Sequence, residues 1–165
     1  MNDLALTFIR TILIGLGATL TFDLWGIFLK RAFKIAPSDI CLVGRWIRTM
    51  PEGVFRHANI RAAAQKSNEC AIGWSAHYMI GITFAIIFVA LVGNTWLHQP
   101  TLMPAIFFGV VTVLAPFLIM HPAFGLGFAA SKTPNPTQAR VRSLMNHTAF
   151  GFGLYLFGWL VNWVM

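Results

Sequence analysis

The apolar residues of this chain fall into four long blocks separated by polar connections. The blocks cover residues 4–29, 72–97, 104–120 and 145–164. Each is about as long as a helix must be to cross the hydrocarbon core of a bilayer when modest tilt is allowed, and none shows the alternation of a membrane β-barrel. The first block lacks a basic start and a cleavage site, so we expect it to remain as a span. The pattern predicts a single all-α integral membrane domain over residues 1–165, a bundle of four transmembrane helices.

The three connections between the blocks differ in charge. The long first connection carries eight basic residues, namely Lys30, Arg31, Lys34, Arg45, Arg48, Arg56, Arg61 and Lys66. The second connection has no Lys or Arg, and the third has Lys132, Arg140 and Arg142. Because Lys and Arg accumulate on the cytoplasmic side of a membrane, we expect the first and third connections to face the cytoplasm. Both termini would then lie on the outer face of a bacterial inner membrane.

A short helix is predicted inside the basic first connection. Its apolar residues recur at helical spacing across residues 38–50, at Ile40, Val43, Ile47 and Met50. If this helix lies on the inner membrane surface, Arg45 and Arg48 are candidates to contact lipid phosphates. The alternative is that the segment packs against the ends of the spans.

The composition agrees with a membrane location and limits the partners of the basic residues. The chain is 57% hydrophobic and 10% charged, whereas about a quarter of the residues of a soluble domain are charged. Its net charge of +7 is not accompanied by a helix-turn-helix or zinc-finger pattern. We therefore expect the bilayer and its anionic lipids as partners, and no nucleic acid. A homo-oligomer remains open.

The two cysteines, Cys41 and Cys70, both fall in the predicted cytoplasmic connection. Thiols stay reduced in the cytoplasm. We therefore interpret both as free thiols, without a disulfide or a metal.

Four titratable side chains lie within or at the ends of the predicted spans: Asp23, His77, His121 and His147. Polar groups in hydrocarbon are costly, so each requires a partner or a purpose. In the predicted orientation all four lie near the cytoplasmic leaflet, and we expect Asp23, His77 and His147 to converge on one polar site. Such a set would suit a proton relay or a transition metal. The alternative is that each histidine only hydrogen-bonds a neighbouring helix.

Small residues lie on the same helix faces as two of these histidines. The faces comprise Gly73, His77, Gly81 and Ala85 on the second span, and His147 and Gly151 on the fourth. Small residues allow another helix to approach closely, so close packing is predicted beside both histidines. The repeated spacing from histidine to glycine is either the trace of a duplicated two-helix hairpin or a chance match.

Several short strings occur in a fixed order along nearly the whole chain. They are Asp23-Leu24-Trp25, Val43-Gly44-Arg45-Trp46, Phe55-Arg56-His57, Gly73-Trp74, His77-Tyr78, Ala115-Pro116-Phe117, Gly125-Leu126-Gly127, Ala129-Ala130-Ser131-Lys132-Thr133-Pro134 and Phe150-Gly151-Phe152-Gly153-Leu154-Tyr155. In this order and spacing they resemble the bacterial domain-of-unknown-function family numbered 2938. The resemblance implies a small bacterial integral membrane protein and carries over no activity, cofactor or catalytic residue.

Three classes of function fit these observations. The first is binding or transport of a proton, a metal ion or a small solute through the intramembrane Asp/His cluster. The second is a redox subunit with a b-type haem between His77 and His147, and the third is a non-catalytic subunit that docks a membrane partner. Motifs of known enzymes are missing from the sequence, so nothing points to catalysis, and the sequence requires no cofactor.

Overall fold

The fold is built almost entirely from helices. A computed structural model describes residues 3–165. Its helices are α1 (Asp3–Phe33), α2 (Cys41–Thr49), α3 (Glu69–Val92), α4 (Thr95–His98), α5 (Leu102–Val111), α6 (His121–Ala123) and α7 (Pro136–Val164). Short 3-10 turns lie at Met50–Glu52, Ile60–Ala62 and Phe128–Ala130, and a π-helical turn lies at Pro116–Met120. Within residues 3–165 no strand occurs, which confirms the all-α class predicted from the sequence.

Three stretches within residues 3–165 are long and apolar enough to cross a membrane: Asp3–Phe33, Glu69–Val92 and Leu102–Ala123. They leave large apolar side chains exposed, such as Leu91 at 72% and Phe107 at 71%. Acyl chains can cover such a surface, whereas water would disfavour it. These features are consistent with a membrane protein. The fourth predicted span lies in α7, which is less apolar because it contains polar residues such as Asn146 and Asn162.

Helix boundaries differ from the predicted spans at three places. The helix α3 ends at Val92 because Gly93 adopts a φ of +86°, a left-handed conformation that commonly ends helices. The helix α5 ends at Val111, and a π-helical turn begins at Pro116. The helix α7 begins at Pro136, well before the predicted start of the fourth span at residue 145.

The chain forms two compact units. Within residues 3–165, unit 1 comprises the chain up to Pro37 together with Tyr78–Thr112 and Met145–Met165. Unit 2 comprises Ser38–His77 and Val113–Leu144. The helices α3 and α7 contribute residues to both units.

The helices of unit 1 approach one another through small residues. A Cβ atom on Gly15 of α1 would lie only 2.7 Å from the Ile82 Cα atom of α3, and Gly81 faces Gly15 across the same crossing. A Cβ atom on Gly109 of α5 would lie 2.5 Å from the Gly151 Cα atom of α7. Only hydrogen atoms fit in these places, so the backbones pack directly. The close packing predicted at Gly81 and Gly151 is confirmed.

The apolar core of unit 1 lies between these helices. Phe88, Ile14 and Leu154 are fully buried in it. The Phe88 ring meets the ring of Trp96 edge to face, with 4.7 Å between the centroids. The Trp96 Nε1 atom donates a hydrogen bond to the Thr101 carbonyl oxygen at 3.1 Å, which satisfies the polar end of a buried indole.

In unit 2, α2 packs on the beginning of α3. Gly44 and Gly73 lie at the crossing, where a Cβ atom on either residue would collide with the opposite backbone. The crossing brings Cys41 and Cys70 together in a disulfide. The prediction of free thiols is wrong, because a contact between segments distant in the sequence was not foreseen. The helical prediction for this part of the chain is confirmed over Cys41–Thr49.

Candidate functional site

Two polar pairs lie among the apolar helices of unit 1. In the first, the Tyr78 hydroxyl donates a hydrogen bond to Asp23 Oδ2 at 3.1 Å. In the second, Nδ1 of His147 lies 2.8 Å from the Thr112 hydroxyl oxygen. Asp23, Tyr78 and His147 are partly buried, and Thr112 is buried. Asp23 and His147 were predicted as site residues from the sequence, whereas their hydroxyl partners Tyr78 and Thr112 were not.

The hydroxyl of Thr112 determines how His147 is protonated. This hydroxyl donates its single proton to the Gly109 carbonyl oxygen. With that proton directed to Gly109, the hydroxyl is placed to accept a hydrogen bond from the His147 tautomer that carries its proton on Nδ1. In the neutral ring the lone pair then resides on Nε2, which is the atom able to take up a further proton.

Phe22 connects the two polar pairs. Its ring meets the His147 imidazole edge to face, with 5.7 Å between centroids, and Asp23 is the next residue of α1. Consecutive residues of a helix differ by about 1.5 Å in height. His147 therefore packs against the residue that precedes Asp23 in α1. A carboxylate and an imidazole can each accept and release a proton.

The remaining two candidates, His77 and His121, belong to unit 2. The His77 ring lies 5.8 Å from the Trp74 ring. His121 is 7% exposed, and its Nδ1 atom has no hydrogen-bond partner within the described chain. Among residues 3–165 no three His, Cys, Asp or Glu side chains are grouped so that they could hold a metal ion. The shared site of Asp23, His77 and His147 stays a prediction.

Arg45 is buried inside unit 2. Its Nε and Nη2 atoms each donate to a carboxylate oxygen of Glu69 at 2.8 Å, and Nη1 donates to the carbonyl oxygens of Ile60 and Ala63. The hydrogen bonds to Glu69 raise the pKa of the guanidinium above its usual value. The expected contact of Arg45 with lipid phosphates is corrected, because internal partners use its donors. Arg48 is exposed, and its lipid contact remains a prediction.

Unit 2 also contains a basic cavity of about 470 Å³. It is lined by Arg56, His57, Ala58, Pro122, Gly125, Gly127, Phe128, Ser131 and Lys132. Nothing in the sequence indicated that Arg56 and Lys132 line the same cavity. Both connections contain Arg and Lys, which could have suggested a shared basic site. This composition does not specify which of the basic residues lie together.

Two neighbouring chain segments form one wall of this cavity. The His57 backbone N–H donates to the Ala123 carbonyl oxygen at 2.8 Å, and the Ile60 N–H donates to the Phe124 carbonyl oxygen at 3.2 Å. A Cβ atom on Gly125 would collide with the backbone of residue 58. Residues 57–60 and 123–126 are therefore in direct backbone contact.

The loop that continues from this wall, residues 125–130, has an unusual backbone. Gly125 and Gly127 have φ values of +83° and +72°, and Ala129 and Ala130 have +45° and +60°. For a residue with a side chain this conformation costs about 1–2 kcal/mol. Arg140 Nε donates to the Ala129 carbonyl oxygen at 2.8 Å and helps to hold the loop. Strain of this kind persists only where the surroundings impose it, and it is concentrated at functional sites.

Comparison with known proteins identifies a family but no activity. The sequence profile of a family described as "Protein of unknown function (DUF2938)" matches residues 12–161. No curated protein and no solved structure shows significant similarity to the chain. The family predicted from the ordered motif strings is confirmed, and the chain belongs to the DUF2938 family.

Proposed function

We propose that this chain is a four-span inner-membrane protein that binds and transports protons, alone or with a small polar solute, through the polar pairs of unit 1. The observation that carries the proposal is the carboxylate of Asp23, which lies within α1 and accepts a hydrogen bond from Tyr78. A carboxylate inside a span is costly and marks a functional site by default. The Tyr78 hydroxyl gives this carboxylate a hydrogen-bond donor.

His147 supplies the second proton-carrying group of the proposed path. Its Nδ1 proton is directed to Thr112, so Nε2 is the atom that gains and loses a proton. Proton transfer between such groups requires that they lie within hydrogen-bond reach of each other or are linked by water. A metal site would require at least three grouped ligands.

The fourth span and the orientation are parts of the same proposal. The helix α7 has 29 residues and would extend about 43 Å, more than the thickness of the hydrocarbon core. The basic residues of the first and third connections favour a cytoplasmic location for both connections. The two termini would then face the outside of the inner membrane.

Proton movement can be measured in liposomes that contain the purified full-length protein and an entrapped pH-sensitive dye. A potassium diffusion potential then drives protons inward. We expect the wild-type protein to acidify the lumen and Asp23→Asn to reduce the rate at least about tenfold, because the variant cannot carry a proton. Tyr78→Phe should reduce the rate less, since the carboxylate remains. Asp3→Asn removes the carboxylate at the exposed start of the same helix and should leave the rate unchanged.

Circular dichroism of each variant in liposomes controls for loss of helical structure. A wild-type rate no higher than that of protein-free liposomes would contradict proton transport. Equal rates for the wild-type protein and Asp23→Asn would remove Asp23 from the path. The docking subunit would then become the better explanation, because it needs no titratable group within the spans.

A further inference from the structure

Unit 2 carries more positive charge than its own carboxylates neutralise. Its basic residues are Arg45, Arg48, Arg56, Arg61, Lys66, Lys132, Arg140 and Arg142, and its acidic residues are Asp39, Glu52 and Glu69. Glu69 pairs with Arg45 at 2.8 Å, Asp39 with Arg61 at 3.6 Å, and Glu52 with Lys66 at 2.6 Å. None of these three cations lines the basic cavity. Within the described residues, Arg56 and Lys132 at the cavity have no carboxylate partner.

Other cations in unit 2 add to this positive potential. The pKa of Arg142 lies below its usual value, first because the side chain is buried and second because Arg61 repels the charge. Arg140 is bonded to the loop that forms one side of the cavity. Cations gathered around a concave surface repel one another and attract an anion.

The ring of His57 is held at the edge of this cavity. Its Nε2 atom lies 3.1 Å from the Thr49 hydroxyl oxygen, which also lies 2.8 Å from the Trp46 carbonyl oxygen and 3.1 Å from that of Val54. The hydroxyl has one proton, and two carbonyl oxygens compete for it. The imidazole is therefore best placed to donate through Nε2. Within residues 3–165, Nδ1 of His57 makes no hydrogen bond.

We propose that the basic cavity binds the phosphate group of an anionic ligand. Arg56 offers a planar set of donors, Lys132 a point charge and Ser131 a hydroxyl, a combination suited to phosphate oxygens. The cavity of about 470 Å³ lies within the range of about 300–1,000 Å³ typical of small-ligand sites. It therefore has room for more than the phosphate. The exposed ring of Phe128 offers an apolar surface to the remainder of the ligand.

The strained loop supports this assignment independently of charge. Ala129 and Ala130 keep positive φ values, and a Cβ atom on Gly127 would lie 2.9 Å from Lys132 Cγ. The loop thus folds back tightly and fixes the starting point of the Lys132 side chain. A site whose backbone is already in place loses less freedom when its ligand binds. The same lining suits a soluble phosphate ester and a phospholipid headgroup, so the source of the phosphate has to be tested.

Binding can be measured by calorimetry on the full-length protein in a neutral detergent. The probes are inorganic phosphate, glycerol 3-phosphate and short-chain phosphatidylglycerol. We expect at least one probe to bind and the double variant Arg56→Gln/Lys132→Gln to weaken its affinity at least about tenfold, because two charged hydrogen-bond donors are lost. The matched control Arg31→Gln/Lys34→Gln removes one Arg and one Lys outside unit 2 and should change the affinity by less than about threefold.

The three probes distinguish the sources of the phosphate. Binding of the two soluble probes supports a soluble ester, and binding of phosphatidylglycerol alone supports a lipid headgroup. Lys132→Arg keeps the charge and should retain binding. Binding by this variant would show that a change at position 132 does not by itself unfold the protein. Absence of binding for every probe, or equal weakening in the two double variants, would overturn the proposal.

Discussion

Arg45 and Glu69 form a two-point ion pair inside unit 2, with Nε to Oε2 and Nη2 to Oε1 distances of 2.8 Å. The pair joins the middle of α2 to the first residue of α3. Their side chains are 7% and 10% exposed. Removal of one partner from a buried pair typically costs about 3–5 kcal/mol, because the other charge is left without compensation.

We expect Glu69→Gln to lower the melting temperature of the purified protein clearly. The control is Glu52→Gln, which removes the same charge from the exposed pair with Lys66 and should cost less than about 1 kcal/mol. Thermal unfolding in detergent measures both variants. Equal, small shifts in the two variants would show that the buried pair does not stabilise the fold.

The close approach of α1 and α3 in unit 1 gives a second prediction. Gly15→Ala places a methyl group 2.7 Å from the Ile82 Cα atom, so α1 and α3 must separate, at a cost of about 1–3 kcal/mol. Gly26→Ala makes the same change in the same helix, but its Cβ would meet only Pro37 Cβ at 3.6 Å. We expect Gly26→Ala to leave thermal stability unchanged or to raise it, because alanine favours helix. A stable Gly15→Ala variant would contradict the crossing.

A third prediction concerns the partner of His147. Thr112→Val leaves the Nδ1 proton without an acceptor and should cost about 1–3 kcal/mol in stability. Thr112→Ser keeps the hydroxyl and should behave like the wild-type protein. The control Thr83→Val changes a threonine whose hydroxyl bonds only to Met79 of its own helix. The prediction fails if Thr112→Val and Thr83→Val melt at the same temperature.

The cysteine pair tests both the crossing of α2 on α3 and the proposed orientation. Cys41 and Cys70 are bonded in the structure, whereas a cytoplasmic loop would keep them reduced. We expect the purified protein to resist maleimide until a reductant opens the disulfide. In intact cells treated with a membrane-permeant reductant, a permeant maleimide should label both residues and an impermeant one neither. Reoxidation after removal of the reductant should close the pair and abolish labelling.

Cys41→Ser and Cys70→Ser are the controls for this experiment, since each retains one reactive thiol that cannot close the pair. Labelling by the impermeant reagent would place the first connection outside the cell. A wild-type pair that is already resistant to the permeant reagent in cells would indicate the same location, because it would mean that the disulfide persists in an oxidising compartment.

The helices were largely predictable because continuous apolar runs of sufficient length determine them locally. The contacts that close unit 2 were not predictable. Arg45 and Glu69 are 24 residues apart, and Cys41 and Cys70 are 29 residues apart, so their meeting depends on how α2 crosses α3. Gly44 permits that crossing, but a glycine does not reveal which backbone will approach it.

At the candidate sites, too, the sequence indicated which residues need partners but not which partners they have. The cost of burying Asp23 and His147 indicated that each needs a partner. It did not identify Tyr78 and Thr112, because partner choice depends on the rotation of each helix about its axis. The basic cavity was beyond prediction, since Arg56 and Lys132 come together only through a backbone contact between distant segments.

The backbone hydrogen bond from His57 to Ala123 also constrains the order in which the protein folds during its synthesis. A ribosome adds about 5–20 residues per second, so roughly 3–13 s pass between the synthesis of these two residues. The helix α3 is made during that interval, but the wall that carries Arg56 lacks its neighbouring segment until Ala123 is added. Unit 2 therefore cannot close before this residue is made, and a chain that stalls before Ala123 would contain α1, α3 and α5 but no cavity.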